Sequence, residues 1–163
     1  HLVPLTVPSP MQLAITLAAV AAGLSAGMVY VFSTGVMQGL GQLAPGEAVR
    51  AMQAINVAVI NPLFLGVFMG TGLYAAGLGA LNLLGRSPTN PWLLAGAAVY
   101  VLGVVLVTIG GNVPLNDGLA ALDASGATAE TWARFARPWL ALNHLRAAMG
   151  ALASLLLVVG AAS

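Results

Sequence analysis

Cysteine and lysine are both absent from this 163-residue chain, and only 6% of its residues are charged. Without cysteine there is no disulfide framework, no thiolate nucleophile and no sulfur-ligated metal site. The few charges, all the basic ones arginine, cannot wet the surface of a soluble domain, which carries about 25% charged residues. A net charge of +1 with no basic cluster excludes nucleic acid as a partner. Dinucleotide, P-loop and nucleophile-elbow motifs are missing too, so nucleotide chemistry and serine-hydrolase chemistry have no carrier.

What is present is hydrophobic sequence, 60% of the chain. The charges divide it into uncharged stretches: Leu2 to Gly46, Ala51 to Gly85, Ser87 to Asn116 and Ala147 to Ser163. A bilayer core about 30 Å thick needs roughly 20 apolar helical residues. Four spans therefore fit, which predicts an all-α integral membrane four-helix bundle in a single domain covering 1–163. The expected spans are Met11–Val36, Pro62–Leu84, Trp92–Val113 and Trp139–Ala162.

Proline marks the expected boundaries. Pro4, Pro8 and Pro10 punctuate a lead before the first span, and because the chain opens on His1 its first residues are read as a tag remnant or processed end. Span one is too long for a signal-peptide core and is read as retained. Pro62 biases Asn61 away from the helical region and predicts a kink. The preceding Glu47–Asn61 reads as an amphipathic arm whose Met52, Ile55, Val59 and Ile60 face the bundle. Pro114 is expected to end span three, with Asn116-Asp117-Gly118 as a turn or cap. Leu115–Pro138 is expected to be a loop containing a short interfacial helix, Thr131–Arg137, and Trp92 suits an interfacial anchor. The pairs Gly23/Gly27, Gly35/Gly39 and Gly66/Gly70 predict close helix packing rather than a dimer interface, although a homo-oligomer stays open.

Four spans put both termini on one side, weakly the cytoplasmic one because arginine shows no clear bias. Arginine without lysine amid alanine, glycine, leucine and valine resembles usage in GC-rich bacterial genomes, hence an expected bacterial inner membrane. The same topology gathers Tyr30, Ser33 and Thr34, Gln53, Asn56 and Asn61, Asn112 and Asn116, and Asn143, His144 and Arg146 into one leaflet. Polar side chains in hydrocarbon usually face the bundle interior and mark a site. Five asparagines offer donors and acceptors for the polar edge of an otherwise apolar ligand.

Trp139, Asn143 and Arg146 share one helical face. For Arg146 several readings stand together: snorkelling to the interface, pairing with Asp117, Asp123 or Glu130, and stabilising a bound anion. His144, about 100° round from Asn143, is either a satisfied interior histidine or a general base. No spacing of histidine and carboxylates marks a metal site, though counting leaves His144 open as a lone axial haem ligand.

The stretches FSTGVMQGL (Phe32–Leu40), AMQAINVAVINPLF (Ala51–Phe64), NVPLND (Asn112–Asp117) and the pattern W-x6-W-x3-NHLR (Trp132–Arg146) resemble the anthrone oxygenase-like family of small four-helix membrane proteins. The resemblance runs from about Val31 to the end of span four. It implies cofactor-free oxidation by O₂ of a lipophilic anthrone-like or phenolic substrate: a base removes a proton, the anion reduces O₂, and the resulting peroxide loses water. By that resemblance His144 is the base, Arg146 and Asn143 stabilise the oxyanion or peroxide, and Asn56, Asn112 and Asn116 orient the substrate, with Gln53, Tyr30 and Trp139 as further binding residues. The competing reading is a non-enzymatic membrane protein that holds a lipid, quinone or other hydrophobic ligand. A transporter is disfavoured because the polarity does not cross the bundle.

Overall fold

The computed structural model describes residues 7–163; His1 and Pro4 of the lead lie outside them. The described chain has no strand and forms an all-α bundle. Its helices are α1 (Pro10–Leu40), α2 (Pro45–Ala58), α3 (Pro62–Leu83), α4 (Pro91–Ala120) and α5 (Ala129–Ala162). All except α2 are long and apolar enough to cross a membrane, as expected of an integral membrane protein.

The helices start where local chemistry satisfies their first N–H groups. Ser9 and Gln12 form a reciprocal capping box on α1, while Asn61, Asn90 and Thr128 cap α3, α4 and α5. Between α3 and α4 the turn depends on Gly85, whose φ of 68° lies in the left-handed region. That geometry lets the Arg86 N–H reach the Leu81 carbonyl at 3.0 Å and closes the helix end.

The spanning helices pack as a ring in the order α1, α3, α4, α5, with α1 and α5 in the longest contact. Two apolar clusters fill it. One, around Ile15, Phe68, Leu93, Tyr100 and Leu157, fills the bundle beside the α3–α4 turn. The other, around Met37, Val49, Met52, Leu119, Phe135 and Trp139, holds α2 against the ends of α1 and α4 and the start of α5. On α2 the buried face is Ala48, Val49 and Met52, with Ile55 and Val59 half-buried. Ile60, expected on that face, is 71% exposed because the helix has already ended at Ala58.

Proline acts differently at its three interior positions. At Pro62 the expected break occurs: Asn61 is extended, at φ −133° and ψ 159°, and its side chain accepts from the Phe64 N–H. At Pro114 the expected helix end does not occur, since Val113 is helical and α4 runs on to Ala120. The turn before it, Thr108–Asn112, is π-helical, and the Val113 N–H bonds the carbonyl of Thr108 five residues back. A widened turn relieves the clash between a proline ring and the preceding carbonyls. Asn116-Asp117-Gly118 accordingly lies inside a helix. Pro138 also sits within a continuous helix, so Thr131–Arg137 is the first part of α5 and the expected long loop shrinks to 121–128. The cost of Pro138, roughly 3 kcal/mol, is opposed by aromatic packing on both sides of it. Phe135 lies with ring centroids 5.7 Å from Trp132 and 6.2 Å from Trp139, which in turn meets Phe32 at 5.8 Å.

Close helix approach occurs, but mostly away from the expected glycine pairs. Of those six glycines only Gly23 faces a neighbouring side chain within 4 Å. Between spanning helices the tightest positions are Gly72, Gly96, Gly103 and Gly111, where an added Cβ would meet Val105, Leu157, Met149 and Leu142 at 2.8, 2.8, 2.6 and 2.7 Å, while at Gly46 of α2 it would meet the Ala124 carbonyl oxygen at 2.5 Å. Spacing alone does not distinguish a glycine under a neighbour from one facing lipid.

Candidate functional site

A cavity of about 290 Å³ lies between the two apolar clusters, walled by α1, α3, α4 and α5 and closed on one side by the end of α2 and the Asn61 bend. Its walls are mainly Met28, Phe32, Phe64, Phe68 and Met69, all apolar. Ile60, Leu65, Ile109 and Val113 line it and are also exposed, so the cavity opens sideways through an apolar rim toward the lipid-facing surface. The volume is near the lower end of ligand pockets, about 300 Å³, which suits a compact molecule.

Polar groups enter on three helices. From α4 come Thr108, Asn112 and Asn116, four residues apart on one face; from α5 come Trp139, Asn143 and Arg146; from α2 comes Asn56. Two of the chain's π-helical turns, Phe32–Val36 and Thr108–Asn112, start at cavity residues, where such turns commonly re-aim side chains.

Asn143 organises the centre. Its amide donates to the Val29 carbonyl at 2.7 Å and to Ser33 Oγ at 2.8 Å, which ties α5 to α1. Its oxygen accepts from Arg146 Nη2 at 2.6 Å, and Arg146 Nη1 donates to Thr108 Oγ1 at 3.0 Å. Arg146 is only 6% exposed, and its guanidinium carbon lies 5.6 Å from the centre of the Trp139 ring, within cation–π range. Its guanidinium is turned inward onto Asn143 and Thr108, so it does not snorkel. Nor does it meet a carboxylate: among the described residues the one ion pair is Arg134 with Glu130, both exposed.

Trp139 donates its indole N–H to Asn116 Oδ1 at 2.8 Å, and Asn112 Nδ2 donates to the Trp139 carbonyl at 3.2 Å. Three buried polar atoms on cavity residues have no partner: Asn56 Nδ2, Asn112 Oδ1 and Arg146 Nε. A buried donor or acceptor left unpaired costs about 1–3 kcal/mol.

Of the residues expected to form the site, Asn56, Asn112, Asn116, Trp139, Asn143 and Arg146 meet at the cavity. His144 does not: it is exposed on the outer face of α5, one residue and so about 100° beyond Asn143. Tyr30 is 59% exposed and borders a separate surface groove between α1 and α5. Gln53 points to the end of α4, where its amide donates to the carbonyls of Leu119 and Leu122 at 2.9 and 3.1 Å. It therefore satisfies carbonyls that a helix terminus leaves open. Asn61 serves as a cap. Thr108 is the polar site residue that sequence reasoning missed, and its four-residue spacing from Asn112 and Asn116 was the available signal. Among the described residues no group of three or more histidines or carboxylates is spaced to hold a metal ion.

Fold and site together define a membrane-spanning helical bundle with an internal cavity, apolar in its walls and polar along one side. The anthrone oxygenase family model matches residues 49–156, two thirds of the chain, and the protein belongs to that family. The match starts within α2, stops within α5 and takes in every polar cavity residue, whereas the FSTGVMQGL stretch of α1 lies outside it. No curated protein and no solved structure matches the chain.

Proposed function

We propose that the cavity is the active site of a membrane-embedded oxygenase that uses O₂, without a resident cofactor, to oxidise a small lipophilic anthrone-like or phenolic substrate. The observation that carries this reading is the buried Arg146–Asn143–Thr108 cluster opening into an apolar cavity within the family-matched region. The substrate slides in from the bilayer through the rim of Ile60, Leu65, Ile109 and Val113, its ring packing on Phe64 and Phe68 and its oxygen toward Arg146. Its carbanion or enolate gives one electron to O₂, forming a substrate radical and superoxide. These combine to a peroxide, which takes up one proton and loses water to leave a new carbonyl. The sum is one CH₂ and one O₂ giving one C=O and one H₂O. Fixed donors aimed at developing negative charge in a water-poor site are the usual source of such stabilisation.

The protein works in a bacterial inner membrane with both termini cytoplasmic. Cysteines introduced singly at Ser87 and Ser125 test the topology, with the first labelled by an impermeant reagent only from the cytoplasmic side and the second only from the other.

The functional test is oxygen uptake by the protein in nanodiscs supplied with an anthrone. We expect one O₂ consumed per carbonyl formed, and a loss of at least 100-fold in kcat/KM for Arg146→Met. The His144→Ala variant keeps its rate within about twofold, since that side chain does not reach the cavity. Tight retention of the anthrone without uptake would instead identify a binding protein.

A further inference from the structure

The charge in the cavity does not balance within the protein. Arg146 gives both terminal nitrogens to neutral oxygens, and its Nε has no partner. No carboxylate, histidine or tyrosine lines the cavity. On the elements around it, Glu47 and Arg50 of α2, Asp117 of α4, and Arg134, Arg137 and His144 of α5 are exposed and do not line the cavity, while Glu130 pairs with Arg134. Asp123 is taken up by Ser125, and the buried Tyr100 hydroxyl bonds Ser25 and the Phe68 carbonyl. Neither α1 nor the spanning part of α3 contains a charged residue within the described chain. A buried cation without a counter-charge is costly in hydrocarbon, and a ligand anion removes that cost. The unpaired Asn56 amide is a further donor, and the unpaired Asn112 oxygen suits a neighbouring hydroxyl.

We infer that the cavity is an anion site, which takes a lipophilic weak acid, whether phenol, enol or fatty carboxylic acid, as its conjugate base. The proton is left in the water outside the membrane, and no protein base is needed. As regards turnover this rests on the oxygenase reading, because selective binding then supplies the ionised substrate that reduces O₂; as a statement about binding it is independent of that reading.

The probe is 2-hexyl-4-nitrophenol, whose phenolate absorbs in the visible, titrated against the full-length protein in nanodiscs with empty nanodiscs as the reference. We expect the bound probe to ionise at least one pH unit lower than in empty nanodiscs, a tenfold or greater preference for the phenolate. The methyl ether of the probe binds at least tenfold more weakly. Arg146→Gln abolishes the preference and Arg146→Lys restores part of it, while Asn56→Leu weakens phenolate binding threefold to tenfold with the fold intact by thermal melting. Displacement by decanoate as well as by a second phenol supports the site and identifies membrane fatty acids as a source of ligand; displacement by phenols alone supports it with aromatic acids as the source. An unchanged or raised ionisation midpoint, or equal binding of the methyl ether, overturns the inference, and both are read on the unmutated protein. Phenolate preference without oxygen uptake keeps the anion site and removes the oxygenase, whereas uptake with a preference for the neutral probe does the reverse.

Discussion

Two asparagine clusters in this bundle have opposite bookkeeping. At the α3–α4 turn, Asn82 is 4% exposed, donates to Ser87 Oγ and the Pro88 carbonyl, and accepts from the Asn90 N–H. Asn90 in turn donates to the Gly160 carbonyl and Ser163 Oγ and caps Leu93. Both side-chain polar atoms of each asparagine are used there, and the cluster joins α3, α4 and α5. In the cavity the same residue type leaves Asn56 Nδ2 and Asn112 Oδ1 without partners, beside an arginine with no anion. Burial of polar groups is common to both, so burial does not mark a site; incomplete satisfaction does.

The sharpest test exchanges the two. Asn82→Ala orphans the groups it joins and is expected to destabilise the protein by about 3 kcal/mol, read as a lower melting temperature in detergent, with oxygen uptake unchanged while folded. Asn56→Leu is expected to leave the melting temperature unchanged or raised, because it removes an unpaired donor, and to reduce ligand binding. If both variants behave alike, the distinction between the clusters fails. Helix contact gives a second, smaller contrast. Gly96→Ala forces a Cβ to within 2.8 Å of Leu157 and should cost about 1–3 kcal/mol. Gly66→Ala meets open space and should stabilise α3 by about 0.5–1 kcal/mol. The smallest effect belongs to the loop at 121–128. Hydrogen bonds from Ser125, first its hydroxyl and then its N–H, hold the Asp123 carboxyl below its ordinary value. A depressed folded value means that the stabilisation is complete above about pH 4 and is lost as pH falls through the folded midpoint. A carboxyl ¹³C titration should place that midpoint lower in the protein than in Ser125→Ala.

The same contrast explains what could be read from the chain. Four spans follow from where nine charges are placed, and the Asn61 bend follows from the proline behind it. Pro114 and Pro138 misled because their effect depends on context: a π-helical turn absorbs the first, and the tilted, packed rings of Trp132, Phe135 and Trp139 hold the helix through the second. Six site residues were legible because a polar side chain stands out against apolar sequence. Phe64, Phe68 and Met28 were not, since an apolar wall residue looks like any lipid-facing neighbour. His144 stood out equally, but it lies one step round α5 from Asn143, and only the helical face decides between them.

Arg146 also bears on how the chain is assembled during synthesis. An arginine within an inserting helix opposes its transfer from the translocon into lipid, by up to roughly 2.5–3.5 kcal/mol at the helix centre. Its direct acceptor on α4, Thr108, and the α1 groups that hold Asn143 all precede α5 in the chain. The acceptors that hold Arg146 and Asn143 are therefore translated before the helix that carries them, so the order of the chain itself offers partners to the charged span.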